Sequence, residues 1–209
     1  MKSLFKLSIT LIVAWLSYRW ILFPWLMHWG ATKEEYQSAR PGDAFVQEIW
    51  YKNTLVVTVN APPSKVWPWI NQMGLDKGGF YTYTWLENLL GCDLQNADQI
   101  HPEWQHTRPG DYEPVCRSAH QRGLPGWEVA NVEAPNAFVW RGAHNAQWTL
   151  GLYVDSLDSH HSRLITRMQF TEPTNSFSWW MEKLWWNWAH SIMQHGIIHG
   201  IKERVESQT

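Results

Sequence analysis

The sequence predicts an α+β domain in which a curved antiparallel sheet wraps one long C-terminal helix, with a hydrophobic helix ahead of it. Three observations carry this. A β-branched segment at 51–60 (YKNTLVVTVN) breaks into a helix at Ala61-Pro62-Pro63. Short alternating segments follow between 111 and 171, closely spaced and separated by turn residues, a pattern that favours an antiparallel meander. From 175 to 206, apolar and aromatic residues recur at spacings of three and four, as on a helix.

The hydrophobic stretch comes first. Residues 4–29 (LFKLSITLIVAWLSYRWILFPWLMHW) are mostly apolar, with Lys2 and Lys6 before the densest part. A spanning helix needs about 20 residues. Residues 7–27 reach that length only by including Arg19, at a cost of roughly 2.5–3.5 kcal/mol on insertion scales. Trp20, Trp25 and Trp29 resemble an interfacial aromatic belt. A single-pass membrane anchor over residues 1–29 is therefore the expectation. A cleaved signal peptide is a second reading, weakened because no clean small-x-small site follows the apolar run. An amphipathic or buried helix of the domain is the remaining reading. Lys2 and Lys6 face Lys33 and Arg40, so charge does not set the orientation.

Residues 31–43 are polar and end in the turn signal Arg40-Pro41-Gly42-Asp43. Residues 30–50 thus read as a linker, or as an arm lying on a domain at 51–206. Within that domain, strand one at 51–60 is stopped by Pro62 and Pro63. A helix at 64–73 places Val66, Trp69, Ile70 and Met73 on one face. A second short helix at 83–90 is closed by Gly91. Residues 98–104 add an irregular turn. Strands are expected near 111–117, 126–133, 137–142, 146–155 and 162–171. In the last helix Phe177, Met181, Leu184, Trp188, Ile192, His195, His199 and Lys202 form one line. Trp179, Trp180, Trp185 and Trp186 widen its apolar band. Gly196 and Gly200 each cost roughly 1 kcal/mol relative to Ala in a helix interior. They point to a close approach by another backbone or a ligand.

Composition narrows the function. A net charge of −2 gives no basic footprint for nucleic acid. Seventeen tryptophans favour cores, ligand walls and membrane interfaces. Cys92 and Cys116 match no CxxC pattern and read as two buried thiols, since a disulfide would require an oxidising compartment. His195 and His199 have a legal spacing for metal ligands. No carboxylate falls in register to complete a site, so neither a metal nor a cofactor is expected. The stretch 60–111 reads as the entrance and wall of an aromatic pocket. Tyr81, Tyr83, Trp85 and Trp104 supply rings there, and Glu87 supplies a carboxylate whose pKa the aromatic wall would raise. Asp98, His101 and Glu103 cluster at a proline turn, which reads as structural. Arg141 would hold a ligand carboxylate if the concave face of the sheet includes it. Arg167 alternates with an apolar set and belongs on the outer face. Trp148, Leu150, Leu152 and Val154 are assigned inward. Trp188, His195 and His199 complete the candidate ligand contacts.

Several short motifs taken in order resemble a known superfamily. They are Trp29-Gly30-Ala31-Thr32, Pro41-Gly42-Asp43, Ala61-Pro62-Pro63-Ser64-Lys65-Val66-Trp67, Gly78-Gly79-Phe80-Tyr81, Trp85-Leu86-Glu87-Asn88-Leu89-Leu90-Gly91, Ile100-His101-Pro102-Glu103-Trp104 and Gly200-Ile201-Lys202-Glu203-Arg204. Together they resemble the SRPBCC or START-like proteins, also described as polyketide cyclase/dehydrase and lipid-transport-like, in a bacterial subgroup. The resemblance covers most of 29–204. It implies the helix-grip fold, with a cavity between sheet and helix. It does not fix a reaction, because one fold hosts many functions. The leading expectation is a membrane-anchored binder of a hydrophobic small molecule or lipid. The alternatives are a cyclase/dehydratase-like or hydrolytic enzyme acting on an aromatic or polyketide-like substrate, and a membrane-associated structural protein with a filled core.

Overall fold

A computed structural model describes the chain apart from Met1, Leu90, 124–125, 144–147, 173–174, 182–186 and Thr209. Helix α1 (Lys2–Ser17) passes into a π-helical turn (Tyr18–Leu22) and then α2 (Phe23–Met27). Pro24 has no N–H for the carbonyl one turn back, and the wider turn is the local response. Phe23 N–H donates instead to the Tyr18 carbonyl, five residues earlier. The Arg19 guanidinium lies over the Trp20 and Phe23 rings at 5.5 and 5.9 Å, so ring faces meet its charge. Lys6–Met27 is long and apolar enough to cross a membrane, and apart from Met27 its side chains are exposed or half-buried.

Six strands follow: β1 (Tyr51–Val59), β2 (Tyr112–Glu113), β3 (Trp127–Glu133), β4 (Ala137–Gly142), β5 (Trp148–Ser156) and β6 (Ser162–Phe170). They form one antiparallel sheet in the order β1-β6-β5-β4-β3-β2. The meander from β3 to β6 follows the turn signals closely. The strand expected at 111–117 is only two residues long. Pro114 has no N–H for the ladder, and the chain turns into α6 (Arg117–Gln121), a helix that the alternation did not suggest. The start of the strand expected at 146 and the end of the helix expected at 90 lie outside the described residues.

The inner face of the sheet packs on α4 (Pro63–Asn71) and α8 (Asn187–Ser207). Leu55, Val59, Phe138, Trp140, Leu150, Leu152, Val154 and Leu164 meet Val66, Trp69 and Ile70 of α4 and Ile197, Ile198, Ile201 and Val205 of α8. Ile198 and Ile201 are fully buried, and each such side chain contributes about 1.5–3 kcal/mol. The helix expected over 175–206 is described as α7 (Ser176–Met181) and α8; Leu184, Trp185 and Trp186 lie outside the described residues. The sheet-facing residues of α8 are Asn187, Ser191, Gln194, Ile198, Ile201 and Val205. The line of Trp188, Ile192, His195 and His199 lies on the other side. Gly200 passes so close to α5 (Thr84–Leu89) and the chain leading into it that an added Cβ would sit 2.1 Å from the Tyr81 carbonyl.

Residues 30–46 fold onto the outer face of the sheet. Thr32 caps α3 (Lys33–Gln37) in a reciprocal capping box with Glu35. Glu35 also accepts from Arg163 of β6 at 2.7 and 2.8 Å. Arg40 donates to both carboxylate oxygens of Asp155 at 2.8 and 2.6 Å and covers the Tyr153 ring. Arg167 does lie on this outer face, but it is not solvated: it is 1% exposed. It donates to Asp43 and Ser38 at 2.8 Å, to the carbonyls of Glu35 and Tyr36, and to the Thr54 hydroxyl. The Trp29 carbonyl accepts from Val56 N–H at 2.9 Å, which covers the free edge of β1.

Candidate functional site

The register of the sheet collects large rings at one end of its inner face. Trp148 opens β5 opposite Phe170, the last residue of β6, which itself pairs with Tyr51 at the start of β1. Trp127 opens β3 opposite Gly142 at the end of β4. A side chain at Gly142 would meet the Trp148 indole at 2.7 Å, so glycine lets that ring lie across the strand end. Trp127 packs on Trp140 at 5.4 Å and on Trp148 at 5.5 Å. Phe138 lies 4.5 Å from Trp140, and Phe80 and Trp67 close the group from the helical side. This aromatic tier adjoins a polar seam. Asn53 Nδ2 donates to Ser191 Oγ at 3.1 Å, the Tyr51 hydroxyl reaches Ser191 Oγ and the Asn187 carbonyl at 3.3 Å, and Thr166 donates to Gln194 at 3.2 Å. The seam arises because the sheet-facing line of α8 is polar at Asn187, Ser191 and Gln194 and apolar only from Ile198 onward.

Two buried polar atoms here have no hydrogen-bond partner among the described residues: Trp140 Nε1, on a fully buried ring, and Asn187 Oδ1. His190, one turn into α8, stacks on Phe170 at 4.9 Å, and burial pushes its pKa down to about 4.

The residues expected to bind ligand are dispersed around this tier. Trp148 belongs to it. Tyr81 is buried in the core, held by Gln72 Nε2 at 2.8 Å and packed on Trp69, and burial pushes its hydroxyl above the ordinary range. The Tyr83 hydroxyl lies 3.3 Å from His195 Nδ1. Trp85 does not line the interior: it stands on α5 and is 70% exposed. Glu87, on the same helix, is half-buried. Burial raises its pKa, partly offset by the Thr82 hydroxyl. Trp104 is half-buried under His101, ring to ring at 4.1 Å, on a short 3-10 turn (Pro102–Trp104). Arg141 is not on the concave face. It pairs with Glu128 at 2.7 Å and covers Phe45 on the outside, because Phe138 and Trp140 take the inner positions of β4.

Trp188, His195 and His199 face the N-terminal helix instead of the sheet. Trp188 Nε1 donates to the Tyr18 hydroxyl at 2.5 Å, with the rings stacked at 5.1 Å. His195 and His199 stack on each other at 4.2 Å beneath Trp29, whose ring centre is 4.6 and 5.2 Å away. Burial lowers both imidazole pKa values, and the mutual repulsion of the pair lowers that of His195 further. No group of three His, Cys, Asp or Glu side chains that could hold a metal occurs among the described residues. Cys92 and Cys116 are not free thiols. They form a disulfide with Cα atoms 4.4 Å apart, joining the end of α5 to the start of α6.

Sequence reasoning missed Trp127, Trp140, Asn53, Ser191 and Gln194. The signal for Trp140 was present in the alternation of β4. The polar seam had none, because Ser and Gln on a helix ordinarily mark its wet side.

No protein-family model matches the chain, and no curated protein resembles it. Among solved structures, a protein from Thermobifida fusca is 13% identical over 74% of this chain and 92% of its own, with a TM-score of 0.47. A Polyketide_cyc-like protein from Corynebacterium glutamicum is 14% identical over 75% and 87%, with a TM-score of 0.33. The Aha1 protein of Colwellia psychrerythraea is 11% identical over 69% and 94%, with a TM-score of 0.38. Scores this low carry no argument about function. The helix-grip assignment rests on the strand order and on α8 packed across the inner face of the sheet.

Proposed function

We propose that the chain is a membrane-anchored protein that binds a hydrophobic small molecule or lipid between the inner face of its sheet and α8. The observation that carries this reading is the Trp140 indole N–H. A buried donor without an acceptor costs about 1–3 kcal/mol. It lies among Trp127, Phe138 and Phe80, whose faces suit an apolar or planar molecule. A ligand oxygen would accept from Trp140 while the rings hold the apolar body, which is the usual division of labour in small-molecule sites. Anchoring by Lys6–Met27 is supported by its length and by large exposed side chains along it, including Leu11, Trp15, Trp20 and Ile21.

The test is native mass spectrometry of the full-length chain extracted from membranes in mild detergent. The expected result is a co-purifying apolar species, or uptake of a pyrene-labelled fatty acid. Trp140→Phe should keep the thermal midpoint within a few degrees and weaken retention at least tenfold. A wild-type chain that neither carries nor takes up an apolar molecule overturns the proposal.

A further inference from the structure

The N-terminal helix, with the turn that follows it, touches α8 at two separated points, and together these fix how deep the domain sits. Tyr18 meets Trp188, and Trp29 meets His195 and His199. Both chains therefore advance in the same direction, side by side. Lys6–Met27 is 22 residues, about 33 Å of helix against a hydrocarbon core of about 30 Å. Tyr18 is nine residues before Met27, or about 14 Å down the helix axis. The start of α8 is thus held well below the end of the spanning segment. The aromatic pair and the snorkelling arginine at Tyr18-Arg19-Trp20 favour a lipid surface there, which puts the start of α8 at that surface and leaves Lys2–Ser17, about 24 Å of helix, in hydrocarbon that thins locally to match it. If the surface lies nearer Met27, the start of α8 is beneath it.

What this end of the domain presents agrees with that depth. The described part of α7 reaches Met181, six residues before Asn187, a distance of at most roughly 20 Å. It exposes Phe177 by 76% and Trp180 by 56%. Trp179 packs edge-on against Trp180 at 5.0 Å. Exposed aromatics of this size on neighbouring turns are costly in water and favourable at a lipid interface. The same end of the sheet carries Tyr51, Trp148 and Phe170.

We infer that α7 and the first turns of α8 form a surface seated in the headgroup and upper acyl region of a lipid bilayer, with the Tyr18–Trp188 contact setting the depth. The occupant of this surface is lipid. The inference rests on the anchor reading above and deepens it. The domain does not swing on a tether, because residues 30–46 are bonded to the outer face of the sheet. Its aromatic tier is held at the membrane surface, within reach of a lipid-derived ligand.

Photo-crosslinking tests this in the full-length chain reconstituted into phosphatidylcholine vesicles. Single p-benzoyl-phenylalanine residues replace Leu11 in the anchor, Phe177 and Trp180 in α7, and Leu157, an exposed residue in the turn at the far end of the sheet. After irradiation, mass spectrometry reads adducts. The expected result is lipid adducts at positions 11, 177 and 180, at least fivefold above position 157. Lipid at 11 but not at 177 and 180 overturns the seating and leaves the anchor standing. Absence of lipid at 11 overturns the anchor and the seating together. Adducts at 177 with a second protein chain overturn the lipid assignment and make this face a protein interface. Equal labelling at 157 and 177 means that the domain lies on the membrane some other way.

Discussion

Arg167 and Asp43 meet at 2.8 Å under a folded arm, with the arginine side chain 1% exposed and the carboxylate 23% exposed. The pair joins the last strand to the turn Pro41-Gly42-Asp43, so the arm is part of the domain's bonding. Removing one partner of a buried pair typically costs about 3–5 kcal/mol, because the other charge is left without compensation. Arg167→Met should therefore destabilise the domain by about 3 kcal/mol and free the segment 38–46 for proteolysis. Urea denaturation and mapped trypsin cleavage check this. A variant as stable and as resistant as wild type would show that the arm is held by Arg40 and Arg163 alone.

The Cys92–Cys116 bridge closes a sequence separation of 24 residues and is expected to contribute about 3 kcal/mol through the unfolded state. Disulfides persist in oxidising compartments. The domain should therefore lie in an oxidising compartment, and under the proposed anchoring the N-terminus lies on the other side of the membrane. Alkylation of intact cells followed by mass spectrometry should find neither cysteine modified unless a reductant is added first. The double Cys→Ser variant should unfold at a lower temperature. Full alkylation without reductant would contradict both the bridge and the orientation.

Gly200 is a close-approach glycine. Its neighbour is the Tyr81 carbonyl, at a residue whose own φ is +58°, so that backbone has little freedom to retreat. Gly200→Ala should destabilise by about 1–3 kcal/mol despite the better helix propensity of alanine. At Gly196 an added Cβ meets the Tyr83 ring at 3.0 Å and the Thr82 Cα at 3.3 Å, a far looser fit than the 2.1 Å at Gly200, which small shifts of a few tenths of an ångström relieve. Gly196→Ala should cost less than 1 kcal/mol, as a rough figure from the same opposing terms. Thermal denaturation of the two variants side by side gives the answer, and a reversed order would refute the packing account.

His190 gives stability a pH dependence of definite sign. Burial holds its folded pKa near 4, below an ordinary value of 6.5. The unfolded chain therefore binds the proton more readily between those limits. Stability from this group is complete above about pH 6.5 and falls as the pH drops toward 4, by roughly 3 kcal/mol in all. His190→Phe should flatten that part of the profile. Urea midpoints at pH 7 and 4.5 for both proteins provide the measurement; parallel slopes would remove His190 as the cause.

The fold was legible because its signals are local. Alternation in 137–142 and 162–170, and the proline stop after β1, each depend on neighbouring residues alone. The site was less legible because its signals are not. Trp85 sits beside genuine core residues in sequence, yet α5 turns it outward. Helix α8 carries rings and imidazoles on one side, and Asn187, Ser191 and Gln194 on the other. A reading by hydrophobicity puts the wrong side against the sheet. Only the partners across the interface, Tyr51, Asn53 and Thr166, make the polar side the inner one, and they come from distant parts of the chain.

The pairing of β1 with β6 has a consequence for how the protein is made. These strands are more than a hundred residues apart in the chain, and β1 has no other strand beside it. The first strand to leave the ribosome therefore waits for the last one. Until residue 170 is available β1 has no partner strand and the arm lacks Arg163 and Arg167, and α8, later still in the chain, completes the polar seam last. Non-local closure of this kind is slow. It keeps the domain unfolded well after the apolar N-terminal segment has left the ribosome, the state in which a polypeptide can be threaded across a membrane before it folds. A chain stopped short of Phe170 would have no route to the native sheet, however intact its N-terminal helix.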